Sequence, residues 1–296
     1  QVFAHIRQYG KDCETIDSIY VVDKNWKLLD DIHIKDIILA SPEQTVSELM
    51  DHRFVALNAM DDQEMAIRVF KDYDRVSLPV VNADGILLGI VTFDDIMDVV
   101  EEESTEDFHK FGSLQEPIIN PLKASTFHLF RERIFWLAAL LFVNLFSGAV
   151  LSSFESVIQS VVSLVFFLPL IIDSAGNAGS QTASLMIRSL ATGDVHLKDW
   201  YKLVGKEFIV SFLLGITMAV GISVIAHFRS PEIIYIVALT MVSVVMIGSL
   251  IGLLLPFIFT KLKLDPATAS APLITSIADI LGIVIYFSLA SHFLGF

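Results

Sequence analysis

The sequence predicts a multi-domain protein in which an α/β domain is followed by an acidic connecting helix and an all-α transmembrane domain of five helices. Three observations lead to this prediction: an internal repeat within the first 100 residues, a run of acidic residues after it, and five long apolar segments. The hydrophobic share of 54% and the mean hydropathy of +0.64 are higher than in ordinary soluble proteins. We expect four parts, which span residues 1–40 (a shortened first repeat), 41–100 (the second repeat), 101–132 (the connecting helix and a linker) and 133–296 (the transmembrane helices).

The charge of the chain is unevenly distributed. Residues 1–120 carry 25 acidic and 10 basic side chains, a net charge of −15, whereas residues 121–296 carry 9 acidic and 10 basic side chains, a net charge of +1. A strongly acidic surface repels nucleic acid and attracts cations, so we expect no nucleic-acid partner. The acidity could also serve solubility alone. Cys13 is the only cysteine of the sequence, which excludes a disulfide within the chain.

The internal repeat joins two segments of equal length. Residues 19–38 align without gaps on residues 78–97, and each copy reads as a strand, a polar turn, a second strand and a helix. Residues 61–70, which precede the second copy, read as an N-capped amphipathic helix. Only the tail of the equivalent helix, residues 1–9, precedes the first copy. Because the chain opens inside this helix and without a methionine, we expect further sequence upstream.

The repeat resembles a pair of cystathionine-β-synthase-type (CBS) domains, the first of which is cut short. CBS pairs commonly bind adenine nucleotides, so the resemblance implies ATP as a ligand. The family's Ser/Thr-x-x-Asp feature is matched by Thr92 and Asp95, whose hydroxyl and carboxylate would bind a ribose or a phosphate-linked group. His33 and Asp36 stand at these positions in the first copy. In the alternative interpretation Asp95 only starts a helix that Thr92 caps.

Acidic residues dominate the segment 94–107. Residues three and four positions apart share one face of a helix, so Glu103, Glu106 and Asp107 stack together, and Asp98 belongs to a second such stack. Like charges at this spacing destabilise a helix unless cations screen or bridge them. Mg²⁺ is a hard ion that carboxylates and water bind, and it fits such a surface. A solvated acidic face is the alternative.

Five apolar segments follow, each long enough to cross a bilayer, which takes about 20 residues. They lie at residues 133–154, 159–187, 203–228, 233–260 and 268–292. Lysine and arginine precede the first segment and lie between the second and third and between the fourth and fifth, whereas the opposite side has only Arg229. By the positive-inside rule the repeat domain is cytosolic and the C-terminus faces outward. We expect a multi-pass protein of the cytoplasmic membrane of a bacterium.

Asp279 and Asp173 are carboxylates within the apolar segments. Asp279 lies near the middle of the fifth, where Thr275 shares its polar stripe, and Asp173 lies in the second. An ionised Asp in hydrocarbon costs from about 2.5 to more than 10 kcal/mol, so each should face a protein interior or water. We interpret the two acids as parts of a cation path. The small residues nearby, including Gly176 and the GxxxG pattern of residues 248–252, could instead serve helix packing.

Four segments are similar to the MgtE family of magnesium channels, and the resemblance covers the whole chain. They are residues 101–110, 154–157, 176–181 with 188–192, and 265–267 followed by 272–279. That family joins an N-terminal helical domain and a CBS pair to five transmembrane helices through a long connecting helix, and it works as a homodimer. The resemblance therefore implies a homodimer in a lipid bilayer, with divalent cations as the transported ligand and the N-terminal domain missing here.

The resemblance also implies roles for individual residues. Asp279 of both subunits would hold hydrated Mg²⁺ in the pore, with groups at Gly176 and Asn177 nearby. Cytosolic magnesium-sensing sites would include the acidic residues Asp74, Asp98, Glu103, Glu106 and Asp107. When internal Mg²⁺ is high, ions would bridge these acids, draw the cytosolic domains together and let the connecting helix close the pore. The net charge of −15 is consistent with this switch, because the acidic part repels itself until cations neutralise it.

The chain departs from the family pattern within the membrane. Ser180 stands where an Asn is usual, and Asp173 adds a carboxylate where the family commonly has a small residue. We hypothesise that Asp173 adds a second acidic site to the pore. We therefore predict an ion path made by Asp279, Asp173, Gly176, Asn177, Ser180 and Thr275.

The sequence leaves more than one function open. The leading interpretation is a magnesium channel closed by internal Mg²⁺, and the alternative is a proton- or sodium-coupled transporter of divalent cations. We do not expect an enzyme, because the His-Glu-x-x-His motif of an intramembrane metalloprotease is absent from the sequence. A nucleotide-sensing scaffold with a passive anchor leaves the two membrane acids unexplained. Selectivity among Mg²⁺, Co²⁺, Ni²⁺ and Mn²⁺ stays open.

Overall fold

The computed structural model describes residues 1–114, 118 and 120–295. The chain divides into two compact units, which we call the N-terminal unit (Gln1–Ser104) and the C-terminal unit (Thr105–Phe296). Each unit is described by itself. The first contains all the strands of the described chain, and the second contains the long apolar helices.

The N-terminal unit confirms the predicted repeat of strand, turn, strand and helix. Its elements in chain order are α1 Val2–Tyr9, β1 Ser18–Val22, β2 Leu28–His33, α2 Ile34–Leu39, α3 Val46–Leu49, β3 Leu57–Asn58, α4 Gln63–Tyr73, β4 Ser77–Val81, β5 Leu87–Thr92 and α5 Phe93–Phe111. Strands β1 and β2 form an antiparallel pair, and a three-stranded sheet has the order β3-β4-β5. In that sheet β3 is parallel to β4, and β4 is antiparallel to β5.

The two hairpins share their irregularities, as copies of one motif should. Each register shifts at the same place, between Val21 and Val22 in β1 and between Val80 and Val81 in β4. Their turns place Trp26 at φ 63° and Gly85 at φ 79°, which is the left-handed region that favours glycine. The polar turn predicted for each copy is thus confirmed, and the first copy has the bulky side chain of Trp26 in the strained position that Gly85 occupies in the second.

Helix α4 forms where the sequence predicts an amphipathic helix before the second copy. The side chain of Asp62 accepts a hydrogen bond from the backbone N–H of Glu64 at 3.1 Å, which caps the helix start. The apolar face of the helix contributes Phe70 to a buried cluster with Leu57, Leu78 and Ile96. This cluster is the core of the second repeat.

Helix α5 contains the whole acidic run. It extends without a break from Phe93 to Phe111, so the segment 94–107 is helical as predicted. The expected boundary at residue 101 falls inside this helix, because the helix of the second repeat and the connecting helix are one element. Of the two prolines in the predicted linker, Pro121 lies in a turn before the first long helix, and Pro117 lies outside the described residues.

Among its described residues, the C-terminal unit contains five helices that are long and apolar enough to cross a membrane. With the short α7, their bounds are α6 Thr126–Ser152, α7 Glu155–Ser160, α8 Ser163–Ala191, α9 Trp200–Arg229, α10 Ile234–Lys261 and α11 Ala271–Leu294. The first begins at residue 126 instead of the expected 133. The second long helix, α8, begins at residue 163 instead of the expected 159, because the short helix α7 extends to Ser160.

Close backbone contact joins α8 to α10. A Cβ atom added to Gly179 would lie 2.7 Å from the carbonyl oxygen of Gly248, and one added to Gly252 would overlap the carbonyl oxygen of Gly179. Only glycine permits such an approach of two helix backbones. The GxxxG pattern of residues 248–252 is therefore confirmed as a helix–helix contact.

Helix α11 packs against α8 through aromatic residues. Tyr286 is fully buried, and its hydroxyl donates a hydrogen bond to the carbonyl oxygen of Leu164 at 3.0 Å. Phe167 and Phe287 are also fully buried, within a cluster that includes residues of α8, α9, α10 and α11. This packing fixes α8 and α11 side by side, and these are the two helices that carry the predicted membrane acids.

Candidate functional site

The two membrane carboxylates lie on one polar face made by α8 and α11. Asp173 is exposed and Asp279 is half-buried in the C-terminal unit. The two carboxylates are near enough to repel each other electrostatically. Asn177, one turn beyond Asp173 on α8 and also exposed, donates a hydrogen bond from Nδ2 to Asp173 Oδ2 at 3.1 Å. The structure thus brings together three of the residues that the sequence predicts for an ion path.

Gly176 sets the distance between the two helices at this face. A Cβ atom added there would lie 3.0 Å from Cγ2 of Thr275, which is closer than an ordinary contact. Thr275 donates its hydroxyl hydrogen to the carbonyl oxygen of Pro272 at 2.9 Å, so its oxygen retains lone pairs for a cation or water. Asp279 follows one turn later on α11. Gly176 and Thr275 therefore position the helices that carry the acids.

Ser180 differs from the other predicted path residues. Its hydroxyl oxygen is buried and has no hydrogen-bond partner within the described part of the chain. A buried hydroxyl without a partner is costly, at about 1–3 kcal/mol, unless water or an ion satisfies it. The position next to Gly179 places this hydroxyl one turn from Asn177 along α8. Whether Ser180 contacts an ion stays a prediction.

The predicted magnesium-sensing acids do not form a complete metal site in the described chain. Asp74 ends α4 in a left-handed conformation with φ 48°, Asp98 is exposed on α5, and Glu103 accepts a hydrogen bond from Gln63. Glu106 pairs with Lys110 on the same helix. Within residues 1–114, 118 and 120–295 no group of three or more His, Cys, Asp or Glu side chains is arranged to hold a metal. Their role, and that of Asp107, stays a prediction.

The predicted nucleotide residues bond each other. Thr92 donates its hydroxyl hydrogen to Asp95 Oδ2 at 2.6 Å, and its backbone N–H donates to the same oxygen at 3.1 Å. These two bonds, the side-chain one first, hold the pKa of Asp95 below its ordinary value. The arrangement is that of a helix-start cap, so a nucleotide would have to share or displace it. Nucleotide binding stays a prediction.

Sequence reasoning missed three charged groups that the fold gives partners. Glu207 of α9 accepts a hydrogen bond at 2.9 Å from the hydroxyl of Thr182 on α8. Lys110 at the end of α5 contacts Asp265, which lies 155 positions away. Glu207 was visible as an acid within the third apolar segment. The pairing of Lys110 with Asp265 had no signal in the sequence, because neither residue interrupts an apolar run.

Comparisons with known proteins agree with the two-part organisation. The model of the MgtE family, described as divalent cation transporter, matches residues 168–289, and the model of the CBS domain matches residues 46–102. The magnesium transporter MgtE of Thermus thermophilus is 38% identical over 291 residues, which are 98% of this chain and 65% of that protein. The magnesium transporter MgtE of Bacillus subtilis is 35% identical over 291 residues, 98% of this chain and 64% of that protein. The chain thus spans somewhat less than two thirds of the length of these curated relatives.

One solved structure in the comparison is similar to part of the chain. It is the crystal structure of the cytosolic domain of the Mg²⁺ channel MgtE in complex with ATP. The match has 42% sequence identity and a TM-score of 0.33, and it covers 33% of this chain and 40% of that chain.

Proposed function

We propose that the chain belongs to the MgtE family and is a magnesium channel of the cytoplasmic membrane, closed by intracellular Mg²⁺. One observation carries the proposal: Asp173, Asn177 and Asp279 form a polar face on helices that are otherwise suited to a bilayer. A carboxylate exposed on such a helix cannot face lipid without a large cost. It must face water, an ion or another protein surface.

A second copy of the chain provides the simplest surroundings for this face. Two such faces opposed across a dimer axis would enclose a water-filled path with an Asp279 and an Asp173 from each subunit. Mg²⁺ gives up its hydration shell reluctantly and is commonly held through its waters by one or two carboxylates. Acids, an amide and a hydroxyl that line a wet path are therefore suited to a hydrated divalent cation. We propose the homodimer on this ground.

The cytosolic acids supply the proposed regulation. The first 120 residues carry a net charge of −15, so the folded N-terminal part attracts divalent cations and is stabilised when they bind. A ligand shifts an equilibrium by its differential affinity for the two states. Internal Mg²⁺ that binds Asp74, Asp98, Glu103, Glu106 and Asp107 better in the closed state would close the path. ATP at Thr92 and Asp95 would add a second signal.

We place the N-terminal unit in the cytosol and the C-terminus outside, from the distribution of lysine and arginine around the helices. The chain is proposed as a transport protein and not an enzyme, in keeping with the names of its relatives.

A coupled transporter is the second candidate. The placement of Asp173 and Asp279 on one polar face favours it, because neighbouring carboxylates can take up a proton when a bound cation leaves. In this case Mg²⁺ flux would require a proton or sodium gradient, whereas a channel conducts without one.

The test is Mg²⁺ flux into liposomes that contain the chain, without a proton or sodium gradient. Flux should occur in the unaltered chain and fall more than about tenfold in Asp279→Ala, because removing the charge at the ion site costs at least about 1.4 kcal/mol. Ser288→Ala, an exposed position of the same helix, is the matched control and should conduct normally. Flux only under an imposed gradient would favour the coupled transporter. Undiminished flux in Asp279→Ala would overturn the assignment of Asp279.

A further inference from the structure

An ion cluster at the end of α5 contains two residues, Lys110 and Asp265, that have no role in the function proposed above. The ammonium of Lys110 lies 2.6 Å from Oδ2 of Asp265 and also contacts Oε1 of Glu106. The three side chains are each only 29–31% exposed. We call Glu106, Lys110 and Asp265 the Lys110 bridge. All three residues belong to the C-terminal unit.

The bridge joins two elements that are distant in sequence. Glu106 and Lys110 lie one turn apart on α5, whereas Asp265 starts the 3₁₀ turn Pro266–Thr268 directly before α11. Asp265 is itself fixed, because its Oδ1 accepts a hydrogen bond from the backbone N–H of Ala267 at 2.8 Å. The bridge therefore attaches the end of the acidic helix to the start of the helix that carries Asp279.

Apolar contacts hold the same junction. Phe111, next to Lys110, packs against a buried cluster made by Ala183 and Ile187 of α8, Ala267 of the 3₁₀ turn and Ile274 of α11. The end of α5 thus contacts both helices of the polar face. A change in the position of this end must alter either these contacts or the helices themselves, because packed interiors resist continuous deformation.

The single ammonium of Lys110 lies against two carboxylates, those of Glu106 and Asp265. Asp265 therefore has a countercharge within the protein, and this countercharge is part of α5.

We propose that Lys110 is a built-in cation that holds the end of α5 on the start of α11 and so biases the ion path toward its closed state. The inference rests on the proposed function and deepens it, because it assigns part of the closure to a covalently attached charge instead of Mg²⁺. Without Lys110, Glu106 and Asp265 would repel each other until a free cation screens them. Lys110 would therefore set how much internal Mg²⁺ closes the path.

The first test measures Mg²⁺ flux in liposomes against internal Mg²⁺ concentration. Lys110→Met should raise the half-closing concentration about two- to fivefold, which is the range of a partly exposed ion pair. Lys110→Arg should restore the original value, because it keeps the charge. Lys261→Met removes an exposed lysine at the C-terminal end of α10 and should leave the half-closing concentration unchanged. An unchanged half-closing concentration in Lys110→Met, or a shift equal to that of Lys261→Met, would overturn the proposal.

The second test fixes the junction covalently. In a Cys13→Ser background, Lys110→Cys with Asp265→Cys provides the only thiol pair, since Cys13 is the only natural cysteine. A short bifunctional thiol reagent should reduce flux and abolish its increase when internal Mg²⁺ is removed. The single Lys110→Cys variant, treated with the same reagent, should keep its flux and the increase of flux when internal Mg²⁺ is removed. Crosslinked protein that conducts as freely as untreated protein would contradict the inference.

A third measurement separates the failure of this inference from that of the proposed function. Hydrogen exchange of the α5 end at residues 105–111 should be faster in Lys110→Met than in Lys110→Arg, whether or not the chain conducts. If the unaltered chain does not conduct Mg²⁺, the proposed function fails. If the protein conducts Mg²⁺ but residues 105–111 exchange at the same rate in Lys110→Met and Lys110→Arg, the attachment by Lys110 is wrong and the proposed function is unaffected.

Discussion

The acids of the N-terminal part and those of the membrane helices are organised in opposite ways. The first 120 residues contain 25 acidic side chains and a net charge of −15, most of them on exposed surfaces, and the predicted sensing acids form no complete metal site in the described chain. The long helices carry few acids, and two of these, Asp173 and Asp279, lie on one face. The first region is characterised by a high density of exposed charges. The second is characterised by a few charges that the packing of the helices holds in place.

The physical cause of the difference is the surrounding solvent. Water screens exposed charges, so many scattered acids are tolerated and each contributes little. A bilayer leaves an unpaired carboxylate without solvation, so every acid there must be placed by the packing of its helix. The comparison teaches that single substitutions should have large effects in the membrane helices and small effects on the acidic surface. The predictions below test this ordering.

The largest effect is expected where helix backbones touch. Gly252→Ala would force a methyl group onto the carbonyl oxygen of Gly179, and overpacking of this kind costs about 1–3 kcal/mol. The thermal unfolding temperature in detergent should fall, and Mg²⁺ flux with it. Gly221→Ala is the matched control, because a Cβ atom at that helical glycine meets no atom within 4 Å. Equal unfolding temperatures for the two variants would show that the contact does not position α8.

Removal of Asp173 should have the next largest effect. Asp173→Ala takes away one of two carboxylates at the polar face and the acceptor of the Asn177 side chain. A second charge at a partly solvated site contributes about 1 kcal/mol, so the Mg²⁺ concentration for half-maximal flux should rise roughly fivefold. Ser174→Ala, the next residue, serves as the control because its hydroxyl only bonds the carbonyl oxygen of Leu170. Unchanged flux and affinity would remove Asp173 from the path.

A smaller effect is expected from the acidic helix. Asp98→Asn with Glu103→Gln removes two charges of α5 and should raise the internal Mg²⁺ concentration for closure about twofold, because exposed charges contribute little each. Asp12→Asn with Glu14→Gln removes the same charge from an exposed segment outside α5. If both pairs shift closure equally, net charge alone acts and α5 carries no specific site.

The smallest effect concerns pH and the Thr92–Asp95 cap. The pKa of Asp95 is lowered, so the cap stabilises the fold above the ordinary carboxyl pKa, and the contribution is lost as pH falls through the lowered value. Thr92→Val removes the side-chain hydrogen bond and should raise the pKa of Asp95, which an NMR pH titration measures. An Asp95 pKa unaffected by Thr92→Val would show that the backbone N–H alone lowers it.

Much of the fold could be predicted from the sequence because local patterns specify local structure. A polar turn between two apolar runs predicted the hairpin of the second repeat, and long apolar segments predicted the five membrane-length helices of the described chain. The predicted ends of the helices were less accurate than the predicted helices themselves. The first long helix starts at Thr126, within the charged segment assigned to the linker, since charged residues favour helices as readily as apolar ones do.

The candidate site was predicted in part. Asp279 and Asp173 were identifiable because a carboxylate in an apolar run is expensive, and the sequence alone therefore determined that both must be functional candidates. That they share a face, at a distance set by Gly176 against Thr275, was decided by the packing of α8 on α11. Side-chain spacing within one helix does not fix its rotation against another.

The sequence by itself determined the kind of protein: an acidic repeat domain, an acidic helix and five membrane-length helices, two of which carry the candidate acids Asp173 and Asp279. Only the tertiary structure decided which charges meet. Lys110 and Asp265 are 155 positions apart, and neither is unusual in its own segment. Periodicity and composition report on neighbours along the chain, whereas such a pair is brought together by the packing of whole helices, whose energy is spread over many apolar contacts.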